Sequence, residues 1–497
     1  MHRNPRRHWI LLPALAMLLT VLLAAQLAAE SKPAAGKAPA AVPALLLSDI
    51  HFEPFFDPAK VPQLASAPAS QWKEILGSAA SPDQEQRFAA LKQQCHSKGE
   101  DTTGALLQSS LLAMRAQAAG VAFITVSGDL MAHQFDCKFN TLFPHAAAGD
   151  LPAFAEKTLA YVQLQLRAAF PGVPLYVALG NNDSGCGDYQ IDAQSAFLAA
   201  EARTVSADLP AADRDEAQRS FANAGYYGAS LPAPIQGARL LALDDLFMSK
   251  NYATCAGKPD PTGAQEQLTW LRRQLTAARA KHEKVWVMGH IPPGVNLAST
   301  AAKHPDFCAS RKVAPFLASD ELPNLLTEFG DVIALALFGH THMDELRLLQ
   351  PQDGAGAPTA SAPRAAIALK MVPSISPVHG NNPSFTLAQV DPATARLMDY
   401  KVIAASNLSG VKADWKEEYD YGKAYSASAF DAAAVEKLVQ EFAADPGATQ
   451  APSQAYLKSV FTGGQMPILG LFWPPYVCSL SHFSAEGFTA CACAATP

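Results

Sequence analysis

The 497-residue sequence contains no Cys-x-x-Cys pair, and its one close pair, Cys491-Ala492-Cys493, is too tight for the usual zinc spacing. A thiolate zinc site is therefore excluded as the organising element. No run of Lys or Arg follows the N-terminus and the formal charge is −7, so the chain lacks the electrostatic footprint of a protein that binds a nucleic-acid polymer. No fixed-period repeat is visible, which excludes solenoids and repeat arrays. Charged residues are scarce, at 17% against 49% hydrophobic, a balance that fills a core and excludes a disordered chain.

What is present begins with Arg3, Arg6 and Arg7, an apolar run from Ile10 to Ala25, and Ala28-Ala29 before Glu30. This order predicts a signal peptide over residues 1–29 and hence export to the periplasm or beyond, with an uncleaved membrane anchor as the alternative. The Arg pair leaves both the twin-arginine and the general secretory routes open. Export to an oxidising compartment makes Cys95, Cys137, Cys186, Cys255, Cys308, Cys478, Cys491 and Cys493 structural disulfide residues. Residues 30–43, rich in Ala and Pro, read as a linker.

Residues 44–405 alternate apolar runs with amphipathic stretches. Ala44–Leu47, Val121–Val126, Val173–Leu179, Leu240–Leu243, Lys284–Met288 and Val332–Leu337 read as buried strands. Leu106–Ala119, Phe154–Ala169 and Gln265–Ala280 read as helices, and the alternation implies an α/β fold. Leu346–Leu349, Ala366–Met371, Phe385–Val390 and Leu397–Ile403 follow with no room for helices between them, which predicts antiparallel strands. Residues 406–497 read as a small helical extension carrying three of the eight cysteines.

Polar groups fall where the apolar runs stop. Asp49-Ile50-His51 follows the first strand, Gly128-Asp129 the second and Gly180-Asn181-Asn182-Asp183 the third, while Gly289-His290 and Gly339-His340-Thr341-His342 follow later ones. Carboxyl ends of strands in one sheet lie together, so these loops converge on one crevice. A glycine beside four of the five groups permits a sharp turn and close backbone approach. Asp, His and a single Asn amide suit zinc, manganese or iron better than calcium. Each fragment alone is an ordinary turn; five in order, each ending a strand, are not.

The pattern resembles the calcineurin-like metallophosphoesterases, and within them the acid sphingomyelinase-like phosphodiesterases. Ser48-Asp49-Ile50-His51, Gly128-Asp129-Leu130-Met131-Ala132-His133, Gly289-His290-Ile291-Pro292-Pro293-Gly294 and Phe338-Gly339-His340-Thr341-His342-Met343-Asp344-Glu345 carry the likeness. Gln267-Leu268-Thr269-Trp270-Leu271 and Pro373-Ser374-Ile375-Ser376-Pro377 with Asn382-Pro383 extend it. The resemblance implies a four-layer αββα sandwich of two mixed sheets flanked by helices, with a helical, disulfide-bearing C-terminal extension. It implies two divalent ions, zinc first with manganese or iron as alternatives. Asp49, His51 and His342 would hold one, Asn181, His290 and His340 the other, and Asp129 would bridge them. A hydroxide shared by the ions would then attack phosphorus in line. Asn182 departs from the family's usual His and matches the Asn-Asn-Asp of endopolyphosphatase relatives, which leaves His133 as the proton donor to the leaving group. The same resemblance pairs Cys255 with Cys308, and adjacency of the metal loops pairs Cys137 with Cys186.

Further residues carry two readings. Asp183, Asp244, Asp245 and Asp344 either orient ligand imidazoles or form turns and caps. His379 and Asn382 either line a substrate pocket or are ordinary loop residues, and Trp473 with Tyr476 reads as packing. Ala132 stands where purple acid phosphatases need a Tyr ligand, and residues 30–43 are too short for the saposin-like module of acid sphingomyelinase. Soluble, head-group-type or nucleotide phosphodiesters therefore rank above bilayer lipid. An endopolyphosphatase or phosphomonoesterase activity, and a metal-bearing binding protein without catalysis, are the alternatives. Oligomeric state is not legible.

Overall fold

Two of the apolar runs named above, Val42–Leu47 (β1) and Phe123–Ser127 (β2), lie side by side as parallel strands, each buried along nearly its whole length. Around them the computed structural model describes residues 1–2, 40–351, 364–464 and 467–494, and from Ala41 onward the chain is one compact unit. The signal-peptide reading of residues 1–29 and the linker up to residue 39 lie outside the described residues. No described helix is long and apolar enough to cross a membrane.

The remaining strands are Leu175–Ala178 (β3), Tyr227–Ser230 (β4), Ala238–Ala242 (β5), Lys284–Met288 (β6), Ile333–Phe338 (β7), Leu346–Leu349 (β8), Ile367–Met371 (β9), Ser384–Val390 (β10), Leu397–Ala405 (β11) and Trp415–Asp420 (β12). They form two mixed six-stranded sheets, in the orders β12-β11-β10-β1-β2-β3 and β4-β5-β6-β7-β9-β8. The sheets meet face to face through aromatic side chains. Phe123 on β2 meets Trp286 on β6 edge-on at 5.5 Å, and the Tyr176 hydroxyl donates to the Ser230 carbonyl at 2.6 Å. Tyr227 accepts from the Val177 amide at 2.9 Å, so strands of opposite sheets share hydrogen bonds as well as apolar contact.

Helices flank this core, among them Gly104–Gln117 (α1), Asp150–Ala169 (α2), Thr262–Lys281 (α3), Leu297–Lys303 (α4), Ala432–Ala443 (α5), Trp473–Ser481 (α6) and Ala485–Ala494 (α7). The start of α1 is fixed by Thr103, whose hydroxyl accepts from the Leu106 amide. Gly120, at φ +76°, then turns the chain into β2. The αββα sandwich and the disulfide-bearing helical end are as the resemblance implied. Two strands were not legible. β4 is four residues containing Gly and Ser, and β12 is an edge strand with three acids in six positions, so neither offers an apolar run; β12 also interrupts the all-helical reading after Ser406.

The cysteine pairings differ from expectation. Cys95 joins Cys137, Cys186 joins Cys255, Cys308 joins Cys493 and Cys478 joins Cys491, leaving no free cysteine. Cys255–Cys308 is thus corrected, because the loop of Cys255 returns to the loop after Asn181: the Ile191 amide donates to the Ala253 carbonyl. Cys137–Cys186 is corrected because Cys137 sits on a helix packed toward Cys95. Cys308 instead packs beside a small second core of Val295, Phe307, Cys478, Phe488 and Ala492 that seats the C-terminal helix. Peptide mapping without reduction should recover Cys308 with Cys493. A Cys308→Ala, Cys493→Ala double variant should lose about 2–4 kcal/mol of stability on a denaturant curve, and an unchanged midpoint would contradict the staple.

Candidate metal centre

Strand register decides which side chains meet. Leu47 on β1 lies opposite Val126 on β2, and Ser127 opposite Ala178 on β3, so the chain leaves all three strands at one edge. Pairing continues past the strands: the Asp49 amide donates to the Gly128 carbonyl at 3.0 Å and the His51 amide to the Asp129 carbonyl at 2.9 Å. In the second sheet His290 follows β6, while His340 and His342 follow β7. The Gly339 amide donates to the His290 carbonyl at 2.9 Å. The crevice is therefore built from both sheets, not from one as the sequence reasoning assumed.

The backbone turns sharply at the candidate ligands themselves. Asp49, His51, Asp129, His340 and His342 have φ values of 49°, 45°, 55°, 71° and 60°, in the left-handed region that side chains seldom occupy. The neighbouring glycines serve close approach instead. A Cβ on Gly339 would lie 1.9 Å from the Ser48 hydroxyl and 2.6 Å from Asp49 Oδ2.

These five side chains converge with those of Asn181 and His290. His51 Nε2 lies 3.1 Å from His342 Nε2, and His342 Nε2 lies 3.4 Å from Asp49 Oδ1. Asn181 Oδ1 lies 2.9 Å from His340 Nδ1. Asp129 Oδ2 stands between the groups, 3.4 Å from His51 Nε2 and 3.1 Å from His290 Nε2. His290 Nε2 is buried with no hydrogen-bond partner, although that carboxylate is within reach. Donor atoms gathered in this way, with a buried nitrogen unsatisfied, fit divalent cations.

Second interactions fix the rings. Nδ1 of His51 meets the Met131 carbonyl at 2.8 Å, and Nδ1 of His290 the Ser127 carbonyl at 2.7 Å, which leaves each Nε2 pointing inward. Burial alone would lower both pKa values. Asp129 and Asp49, with Asp101 beside His51 and Asp245 beside His290, together outweigh it, and His51 rises to about 9 and His290 to about 10. His340 falls to about 4, through burial and then the charge of His290. The carboxylates draw positive charge into the cluster, and its four imidazoles cannot all carry it.

His133 stacks on His51 at 4.0 Å and keeps 29% of its side chain exposed. Its Nδ1 meets Asp101 Oδ1 at 3.0 Å, and its backbone amide donates to Asp101 Oδ2 at 2.9 Å. Asp101, which sequence reasoning missed, also accepts from the Ser376 hydroxyl at 3.0 Å. Burial pushes its carboxyl upward, but His133 holds it below the usual carboxylate range. Asn182 turns away from solvent: its backbone and side-chain N–H groups donate to the two oxygens of Asp129 at 2.8 and 2.9 Å. Asp188, also missed, accepts from Asn181 Nδ2 at 2.8 Å and so leaves the Asn181 oxygen facing His340.

None of the four other acids orients a candidate ligand ring. Asp183 accepts from the Leu130, Met131 and Gly180 amides, lacing the second loop to the third, and Asp245 accepts from the His290 and Ile291 amides. Asp344 pairs with buried Lys370 and with Tyr419. Both oxygens of Asp244 are buried without partners, and burial pushes its carboxyl well above the ordinary range. His379 approaches His342 at 4.6 Å and lines a cavity beside the cluster, whereas Asn382 packs under Gly463 and is not among the lining residues. Trp473 is fully buried, and Tyr476 donates to Glu345 Oε1 at 2.7 Å.

The chain is similar to the acid sphingomyelinase-like phosphodiesterase 3b of Mus musculus, at 25% identity over 90% of this chain and 88% of that protein. It matches the sphingomyelinase phosphodiesterase C of Dictyostelium discoideum at 25% identity, covering 64% of this chain and 66% of the relative. It also matches the cyclic GMP-AMP phosphodiesterase SMPDL3A of Mus musculus at 28% identity, covering 58% and 61%. The sequence profile of the calcineurin-like phosphoesterases matches residues 42–344, which contain all seven side chains of the cluster. This chain belongs to the calcineurin-like phosphoesterase family, metal-dependent hydrolases of phosphoric esters, and within it is similar to the acid sphingomyelinase-like phosphodiesterases.

Proposed function

We propose that the protein is an exported phosphodiesterase that holds two zinc ions, with manganese or iron as substitutes, and cleaves small phosphodiesters. Asp49, His51 and His342 would hold one ion and Asn181, His290 and His340 the other, with Asp129 shared. The observation that carries this reading is the position of Asp129 Oδ2, within 3.4 Å of His51 from the first set and 3.1 Å of His290 from the second. Pairing of all eight cysteines agrees with an oxidising compartment. When bound, two such ions supply Lewis acidity toward water and the phosphoryl oxygens.

The chain's own residues do the rest. Asn182 fixes both oxygens of Asp129, so the shared carboxylate keeps one orientation during turnover. Asp188 holds the Asn181 amide and thereby selects its oxygen as the donor atom. His133, stacked on His51 and still reached by solvent, donates a proton to the departing ester oxygen from Nε2. Asp101 binds its Nδ1 and sets that orientation. The Asn182 amide occupies the place where the family's usual imidazole would act, which leaves His133 as the chain's donor.

Asp129→Ala should lower bound metal and activity together while the far-UV spectrum persists; wild-type turnover would sink the two-ion assignment. His133→Ala should lower kcat/KM on alkyl phosphodiesters by about 10²–10⁴ while nitrophenyl diesters, whose leaving group departs unaided, lose far less. Asp101→Asn should show the same selectivity with a smaller loss, and equal losses on both ester classes would assign the pair to phosphate binding. Chelation should lower the melting temperature, since each ion at a thousandfold excess over its Kd contributes about 4 kcal/mol. Full metal occupancy with no turnover of any ester would favour a binding protein.

A further inference from the structure

On the His340 side of the cluster a cavity of about 700 Å³ opens between α4 and the C-terminal extension. His340 and Thr341, from the β7 loop, are among its lining residues. Its walls are apolar: Leu297 and Ala301 come from α4, Leu469 and Phe472 from the segment before α6. A volume of this size is that of a pocket for a drug-sized group.

Charge in the cavity is already spoken for. Arg347 donates to Glu345 Oε2 at 2.9 Å, and Glu345 also accepts from Tyr476, so the one guanidinium among the described lining residues is already paired. Among the described lining residues no unpaired Lys or Arg meets a long polyanion.

We propose that this cavity receives one ester group of the substrate, an apolar or aromatic group, and that it selects among phosphodiesters. The proposal rests on the phosphodiesterase reading only for the phosphorus end, which the cluster beside His340 would hold. It separates this chain's substrates by the group on the ester and opposes a polyphosphate substrate.

The test is calorimetric binding to the zinc-loaded protein of methyl phosphate, 2-naphthyl phosphate and 6-carboxy-2-naphthyl phosphate. The naphthyl ester should bind at least tenfold tighter than the methyl ester, and the added carboxylate should remove most of that gain. Ala301→Phe, which fills the cavity from α4, should bring the naphthyl-to-methyl ratio toward one; Ala298→Phe, at a more exposed lining position, guards against a folding defect in the first variant. Equal affinities in the native protein, or a gain that survives both fillings, would overturn the proposal. Because binding is read without turnover, a naphthyl gain in a protein that cleaves no diester retracts the phosphodiesterase reading and leaves the cavity's role standing. Diester cleavage without the gain does the reverse.

Discussion

A carboxylate taken out of water must be met by charge or by hydrogen bonds, and around Asp129 each of three separate loops supplies one of these. The third loop gives the two N–H groups of Asn182, the sixth strand gives His290, the first gives His51, and Gly180 brings its backbone so near that a Cβ there would lie 2.2 Å from Asp129 Oδ1. The sheets can close only with these partners in register. The same requirement explains why the loops are laced to one another by backbone hydrogen bonds and by Asp183: a one-residue slip in any of them would strand a buried charge.

The C-terminal extension is coupled to the same region from outside. Tyr476 on α6 reaches Glu345, three residues past His342, and Glu345 in turn accepts from Thr341 and Arg347. Cys308–Cys493 fastens the short helix after α4 to α7, which follows α6 in the extension. The extension thus contributes both a cavity wall and support for the His340–His342 turn.

Legibility followed distance along the chain. His51, His290 and the rest announce themselves because each group stands directly after an apolar strand, in four of the five cases beside a glycine. Asp101 does not: in Asp101-Thr102-Thr103-Gly104 it reads as part of a helix cap, and its contact with His133 spans 32 residues. Asp188 reads as a turn residue within Gly187-Asp188-Tyr189. Disulfide partners depended on which loops return to which, a tertiary property that spacing does not encode. The sheets' membership was equally hidden, since strands from two sheets leave the same alternating pattern as strands from one.

The left-handed turns at Asp49, His51, Asp129, His340 and His342 set folding against chemistry. Such a backbone costs a side-chain-bearing residue about 1 kcal/mol, and a glycine nothing comparable. Replacing a candidate ligand by glycine would relax the backbone while deleting a donor atom, so a screen for thermal robustness alone would drift toward catalytically silent proteins. Heat-selected libraries of this chain therefore require an activity gate at these five positions.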